Sequence, residues 1–251
     1  MRKLINRYKS SFLHLKKVHI MRKKLLENIK DMKNLKDIHK GERCFIIGNG
    51  PSLTPEDLDM LKEEITFSTN RIYKILDKTA WRPYYYCVSD NKIMNVCKDE
   101  INSLVAKKKF LTLEPLVMYN MFATDYPDAQ FYHQKFHSGK LGWTVPVFSD
   151  NIVKGITCGH SVTYICIQIA AYMGFSKIYL IGCDHTAPKD MVGKKTHFYE
   201  LKNDSNYEYA LSNNSYKAAK KYAKKNGFEI INITRGGSLE IFERKKLEEI
   251  L

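Results

Sequence analysis

The chain has 251 residues, enough for one large α/β domain with an appendage or for two small domains. Its 44% hydrophobic content supports a packed core and argues against wholesale disorder, and the absence of any run of 18 apolar residues argues against a transmembrane helix. The net charge of +14 is uneven: residues 1–40 hold 13 Lys/Arg against 3 Asp/Glu, so the rest is only mildly basic and nucleic-acid binding is not expected of it.

Residues 3–35 contain neither Gly nor Pro. Apolar side chains recur in steps of three or four, from Ile5, Tyr8 and Phe12 through Ile29, Met32 and Leu35, which is the helical period. Lys and Arg fill much of the rest. The pattern predicts a long basic amphipathic helix over residues 1–40. It would pack on the main domain, pair subunits into a homo-oligomer, or lie on an anionic membrane surface. No apolar core of signal-peptide type stands at the start, so none is expected. The six cysteines form no CxxC pair and several sit in apolar runs. They predict a reduced, cytoplasmic chain with buried thiols and no metal site.

Residues 41–251 read as one domain. Arg43–Ile47 is a short apolar run expected to be a buried parallel strand. The turn Gly48-Asn49-Gly50-Pro51-Ser52-Leu53 follows, then a helix start at Thr54-Pro55-Glu56-Asp57. Glycines there allow close backbone approach, and the turn is expected to face the phosphates of a nucleotide. It departs from the dinucleotide fingerprint because Leu53 stands where a third glycine would be, and it lacks the Lys of a P-loop.

Further strands are expected at 65–69, 84–88, 109–113, 177–182 and 229–233, and helices at 161–173 and 213–226, with a short helix at the end. Residues of about 115–156 are aromatic-rich and read as an irregular insertion or lid. Alternating strands and helices predict a Rossmann-like α/β fold, a mostly parallel sheet with helices on both faces.

Ligands of such sheets sit at the carboxyl ends of the strands. The polar residues just beyond them are Asn49, Asn70-Arg71, Ser89-Asp90, Asp184-His185 and Thr234-Arg235, joined by Thr157-Cys158-Gly159 at a helix start. Taken singly, each has an ordinary structural use. Together they outline one binding rim. Asp184 is suited to a ribose hydroxyl, a metal or base chemistry. Arg71 and Arg235 suit a diphosphate or carboxylate, and His185 and His197 are candidate general acid/base groups.

Two segments, CFIIGNGPSL…ITFSTNRIY and ITCGHSVTYICIQIAAYMGFSKIYLIGCDH, resemble the bacterial sialyltransferases of glycosyltransferase family 42. They resemble more closely the broad MptE-like family, which also supplies the central domain of flagellin motility-accessory glycosyltransferases. The resemblance implies a glycosyltransferase-A variant that takes a CMP-activated sugar and needs no divalent metal. The acceptor would be a glycan or lipid-linked sugar at the cytoplasmic membrane face.

By position, Asn49 and Gly50 would touch the donor phosphate, Asn70 the ribose or sugar, and Asp90 the sugar. Thr157, Cys158 and Gly159 would hold a carboxylate or phosphate, and Asp184 would bound the nucleotide pocket. Arg71 replaces a Gln of the sialyltransferases and Cys158 a Ser. Their catalytic His has no counterpart in Tyr209-Ala210-Leu211-Ser212, so His185 or His197 would substitute for it. The archaeal MptE enzymes instead move diphosphate from ATP to a hydroxymethyl pterin with Mg²⁺, for which Asp90 and Asp184 would be the ligands.

Overall fold

The computed structural model describes residues 27–114, 123–135, 147–186, 197–199 and 209–251. Most of the expected basic helix (residues 1–26) lies outside them, as do parts of the expected lid.

The first half contributes β1 (Arg43–Ile47), α1 (Pro55–Met60), β2 (Thr66–Thr69), a 3-10 turn (Ile72–Ile75) and β3 (Tyr85–Val88). Then come α2 (Asn91–Val96), α3 (Lys98–Ser103), β4 (Lys108–Thr112), β5 (Ala129–Tyr132) and β6 (Gln134–Lys135). The second half contributes β7 (Ile156–Thr157), α4 (Val162–Tyr172), β8 (Lys177–Ile181), α5 (Tyr209–Asn226), β9 (Glu229–Asn232) and β10 (Glu243–Arg244).

Eight strands form one sheet in the order β10-β9-β8-β1-β2-β3-β4-β5. Every pairing in it is parallel. The chain runs outward from β1 to β5, then returns to the other side of β1 with β8. The order therefore reverses between β1 and β8, and the crevice opens at that point.

Successive residues of the central strands serve opposite cores. Cys44, Ile46, Ile178 and Leu180 face the core under α4 and α5, while Phe45, Ile47, Tyr179 and Ile181 face the core under α1, α2 and α3. Because helices cover both faces, β1 is apolar throughout its length after Arg43. All six cysteines are free thiols, and five are buried. No helix among the described residues is long and apolar enough to cross a membrane.

Residues 27–41 pack on the domain. Residues 27–34 are helical, with Met32 and Leu35 buried in the α4/α5 core. Asn28 donates from Nδ2 to the Phe131 carbonyl (2.5 Å), and its Oδ1 accepts from the Phe131 amide (2.6 Å). Its side chain thus stands in for a neighbouring strand along β5. Asp37, His39 and Gly41 donate backbone bonds to the carbonyls of Tyr172, Met173 and Gly174. They satisfy the end of α4, whose last carbonyls have no partner within the helix.

Four features differ from the sequence reading. The insertion expected to be irregular supplies β5 to the main sheet and β6 and β7 to a small two-stranded one. Their two- to four-residue lengths leave almost no periodicity to read. The helix expected from Asn213 begins at Tyr209, and the chain ends in β10 and a 3-10 turn at Leu247–Glu249. The gap between β3 and β4 is filled by α2 and α3, each six residues long.

Candidate active site

The glycine turn extends β1 along β8. Gly48 and Gly50 donate their amides to Ile181 O (2.9 Å) and Gly182 O (2.8 Å), and Leu53 donates to Gly50 O. Asp184 lies over Gly50, where any Cβ would collide with its carboxylate. Ser52 Oγ donates to Asp184 Oδ2 at 2.7 Å. Burial raises the Asp184 pKa above the ordinary carboxylate value, and bonds from the Ser52 hydroxyl and amide oppose that shift. The anion seated on this turn is the protein's own. The Gly48, Gly50 and Leu53 amides are paired inside the chain, so these three are not the groups that would meet a phosphate at this turn. A capping box from Thr54 and Asp57 closes the start of α1.

Beside this turn stand polar groups without partners among the described residues. Asn49 donates from Nδ2 to Thr69 O (3.0 Å), which fixes the amide so that Oδ1 is left as an acceptor. That oxygen is buried without a partner among the described residues, as are Asn70 Oδ1 and Arg71 Nε. Asn70 holds a left-handed backbone (φ +43°), a conformation Asn tolerates better than most residues. The Tyr86 hydroxyl binds its carbonyl. Unpaired buried polar atoms are rare because each costs about 1–3 kcal/mol. Three of them at the ends of two adjacent strands point to a ligand.

His185 lies beyond β8, is 8% exposed and also has a left-handed backbone (φ +45°). Its ring stacks on Tyr209 at 4.3 Å and meets Tyr216 edge-on at 5.1 Å. Burial lowers its pKa to about 4, against a side-chain hydrogen bond with Asn213 that raises it. The imidazole is neutral at pH 7. His197 neighbours Tyr199, with ring centroids 5.0 Å apart, and the next residue, Phe198, donates its amide to Asn49 O (3.0 Å). The two histidines thus flank the rim from different segments.

Other predicted residues have internal roles. Asp90 caps α2, accepting from Lys92 and Ile93 amides at 2.7 and 3.1 Å. Thr157 is knotted into a buried polar cluster with Ser149 and Gln168. Cys158 donates its amide to Lys135 O. Gly159 (φ +57°) packs so closely on Tyr164 that a Cβ would overlap the ring, and Ser161 Oγ meets Tyr216 OH at 2.9 Å. Arg235 departs furthest from its expected role: its guanidinium forks onto Asp57, which is 1% exposed, so it neutralises a buried carboxylate of α1.

Sequence reading missed Tyr209, Asn213 and Tyr216, whose i, i+4, i+7 spacing puts them on one face of α5. Among the described residues, no three His, Cys, Asp or Glu side chains cluster to hold a metal ion.

The fold resembles two solved structures. The MAf glycosyltransferase from Magnetospirillum magneticum AMB-1 matches at 14% identity with a TM-score of 0.53. The match covers 90% of this chain but only 38% of that one. The sialyltransferase CstII from Campylobacter jejuni, solved in complex with a substrate analogue, cytidine-5'-monophosphate, matches at 15% identity with a TM-score of 0.49. That match covers 82% of this chain and 85% of the other. The first likeness establishes a glycosyltransferase-like fold. No curated protein matches the sequence. The family model described as 6-hydroxymethylpterin diphosphokinase MptE-like matches residues 21–190, most of the length, and the chain belongs to the MptE-like family.

Proposed function

We propose that the chain is a glycosyltransferase of surface-polysaccharide or glycoprotein assembly. It would move a sugar, such as a nonulosonate, from a CMP-activated donor to an acceptor hydroxyl. The observation that carries this reading is the rim itself: a neutral buried imidazole, His185, shares the carboxyl edge of the sheet with Asn49 Oδ1, Asn70 Oδ1 and Arg71 Nε, which have no partner among the described residues.

The two amide oxygens accept hydrogen bonds, which suits ribose or sugar hydroxyls. Arg71 supplies positive charge for the phosphate. The Asp184 carboxyl group already occupies the glycine turn, so the phosphate belongs on the Arg71 side. His185 removes the acceptor proton as the bond to the leaving phosphate breaks. A pKa near 4 makes His185 a weak base, and its neutral form is the one that can take the acceptor proton. Its position against Tyr209, where α5 begins, answers the absence of a histidine from Tyr209–Ser212. His197 is the second candidate base. The reaction so described uses no divalent metal.

Donor-cleavage assays with CMP-, CDP-, UDP- and GDP-sugars test this reading. Release of CMP from a CMP-nonulosonate is expected, and failure to bind or cleave any nucleotide sugar would sink it. A second reading, transfer of diphosphate from ATP to a hydroxymethyl pterin, is favoured by the description of the matching family model. Mg²⁺-dependent release of AMP with the pterin present would select it.

Residues 1–26 hold nine Lys/Arg and no Asp/Glu, and would bring the enzyme to the anionic inner face of the cell membrane. Cosedimentation with anionic liposomes is expected to fall when they are deleted. A deletion that changes only oligomer size would make the segment an assembly device. The cut must stop at 26, because Asn28, Met32 and Leu35 belong to the fold.

A further inference from the structure

A cavity of about 520 Å³ lies beside the rim, between the 3-10 turn and the Phe198–Tyr199 segment. That volume falls in the usual range for small-molecule sites. Its walls include Leu53, Tyr73, Lys74, Lys78, Phe198 and Tyr199, with Asp77 as its one carboxylate. Leu53 occupies the third-glycine position of the turn, so the residue that breaks the dinucleotide fingerprint is part of this cavity.

Three aromatic rings and two ammonium groups converge here. The Phe198 and Tyr199 rings meet at 83° with centroids 5.0 Å apart, forming a corner. Such a corner cannot sandwich a flat base or pterin between parallel faces. It can receive the C–H face of a pyranose on one ring and its edge on the other. The Lys74 ammonium sits 5.8 Å from the Tyr199 ring centroid, so a charged substituent on that sugar meets it directly. Lys74 and Lys78 are both exposed, and among the described lining residues two cations stand against one carboxylate, a net positive set.

The cavity also touches the rim. Phe198 donates its amide to the Asn49 carbonyl, and Arg71 and Asp90 both act electrostatically on the Tyr199 phenol. A sugar in the corner is therefore a neighbour of whatever Asn49 and Arg71 hold.

We propose that this cavity is the acceptor subsite and that it selects an anionic sugar, charged through a carboxylate or a phosphate ester. The assignment as acceptor site rests on the glycosyltransferase reading; the selectivity for an anionic sugar does not.

Saturation-transfer NMR on the full chain tests it with four probes: methyl glucuronide, glucose 6-phosphate, neutral methyl glucoside and 6-hydroxymethylpterin. CMP binding is measured on the same samples. Both anionic sugars are expected to bind about tenfold more tightly than the glucoside, the scale of two partly exposed charge pairs. Their ranking tells carboxylate from phosphate. The double variant K74Q/K78Q is expected to bring them to the level of the glucoside with CMP affinity unchanged. Equal affinity for charged and neutral sugars, a preference that survives the double variant, or tighter binding of the pterin would each overturn the proposal. Loss of CMP binding alone, with the charge preference intact, would overturn the donor reading and leave the cavity's selectivity standing.

Discussion

Replacing His185 by asparagine is expected to lower turnover by about 10²–10⁴-fold, the usual contribution of a positioned general base. Asparagine is the right substitute because it tolerates the left-handed backbone at this position. Donor affinity should hold, since in the proposed reading the amide oxygens and Arg71 would do the binding. Turnover close to wild type would remove His185 from the chemistry and leave His197 as the candidate.

The same variant has a second signature. The folded His185 pKa of about 4 lies below the ordinary value of 6.5 because burial disfavours the charged ring. Between those values the unfolded chain binds more protons, so stability is fully present above pH 6.5 and is lost as pH falls toward 4. The loss is on the order of 3 kcal/mol. Asp184 runs the other way: its raised pKa makes its contribution decline as pH rises above the ordinary carboxylate value. Subtracting the His185→Asn profile from the wild-type profile, in denaturant titrations at pH 7 and pH 5, isolates the imidazole. An unchanged pH dependence would mean that the ring is not held neutral.

The second large effect is expected at Gly48. A Cβ there would drive into the carbonyl of Gly182, with Cys183 Sγ 3.0 Å away. The main obstacle is backbone on the adjacent strand, so no side-chain rotation relieves it. Gly48→Ala must part β1 from β8 at the crevice, stretching the Gly48–Ile181 and Gly50–Gly182 hydrogen bonds. Overpacking of this kind costs about 1–3 kcal/mol, or roughly 2–12 °C in Tm for a chain of this size. Because Asp184 follows just beyond β8, donor cleavage should fall as well. Gly227→Ala is the control: nothing lies within 4 Å of its Cβ, and only its positive φ resists. Equal Tm losses in the two variants would refute the steric account.

The parallel sheet was legible because its central strands are buried on both faces and so read as continuous apolar runs. Strand ends fell within a residue or two, and the rim residues Asn49, Asn70, Arg71, Asp184 and His185 followed from them. What stayed hidden is contact at long range. Nothing local says that Asp184 would cross 132 residues to Ser52 and occupy the turn that the sequence reading expected to face a phosphate. Nor does the sequence near Arg235 disclose a buried partner 178 residues away in Asp57. β5 escaped because Ala129–Tyr132 is four residues long and includes a polar Gln130 whose partner is Asn28. Charge misdirects at the N-terminus, where a basic tail grades into residues that build the core.

The Asn28 clasp has a consequence for solubility. A parallel sheet ends in strands whose outer amides and carbonyls invite another chain to join. One edge here, β10, is only two residues long. The other, β5, is longer, and its outward-facing Phe131 amide and carbonyl are both taken by one asparagine side chain. Starting the chain at residue 41, where composition changes, would strip that cover and offer β5 as a template for aggregation.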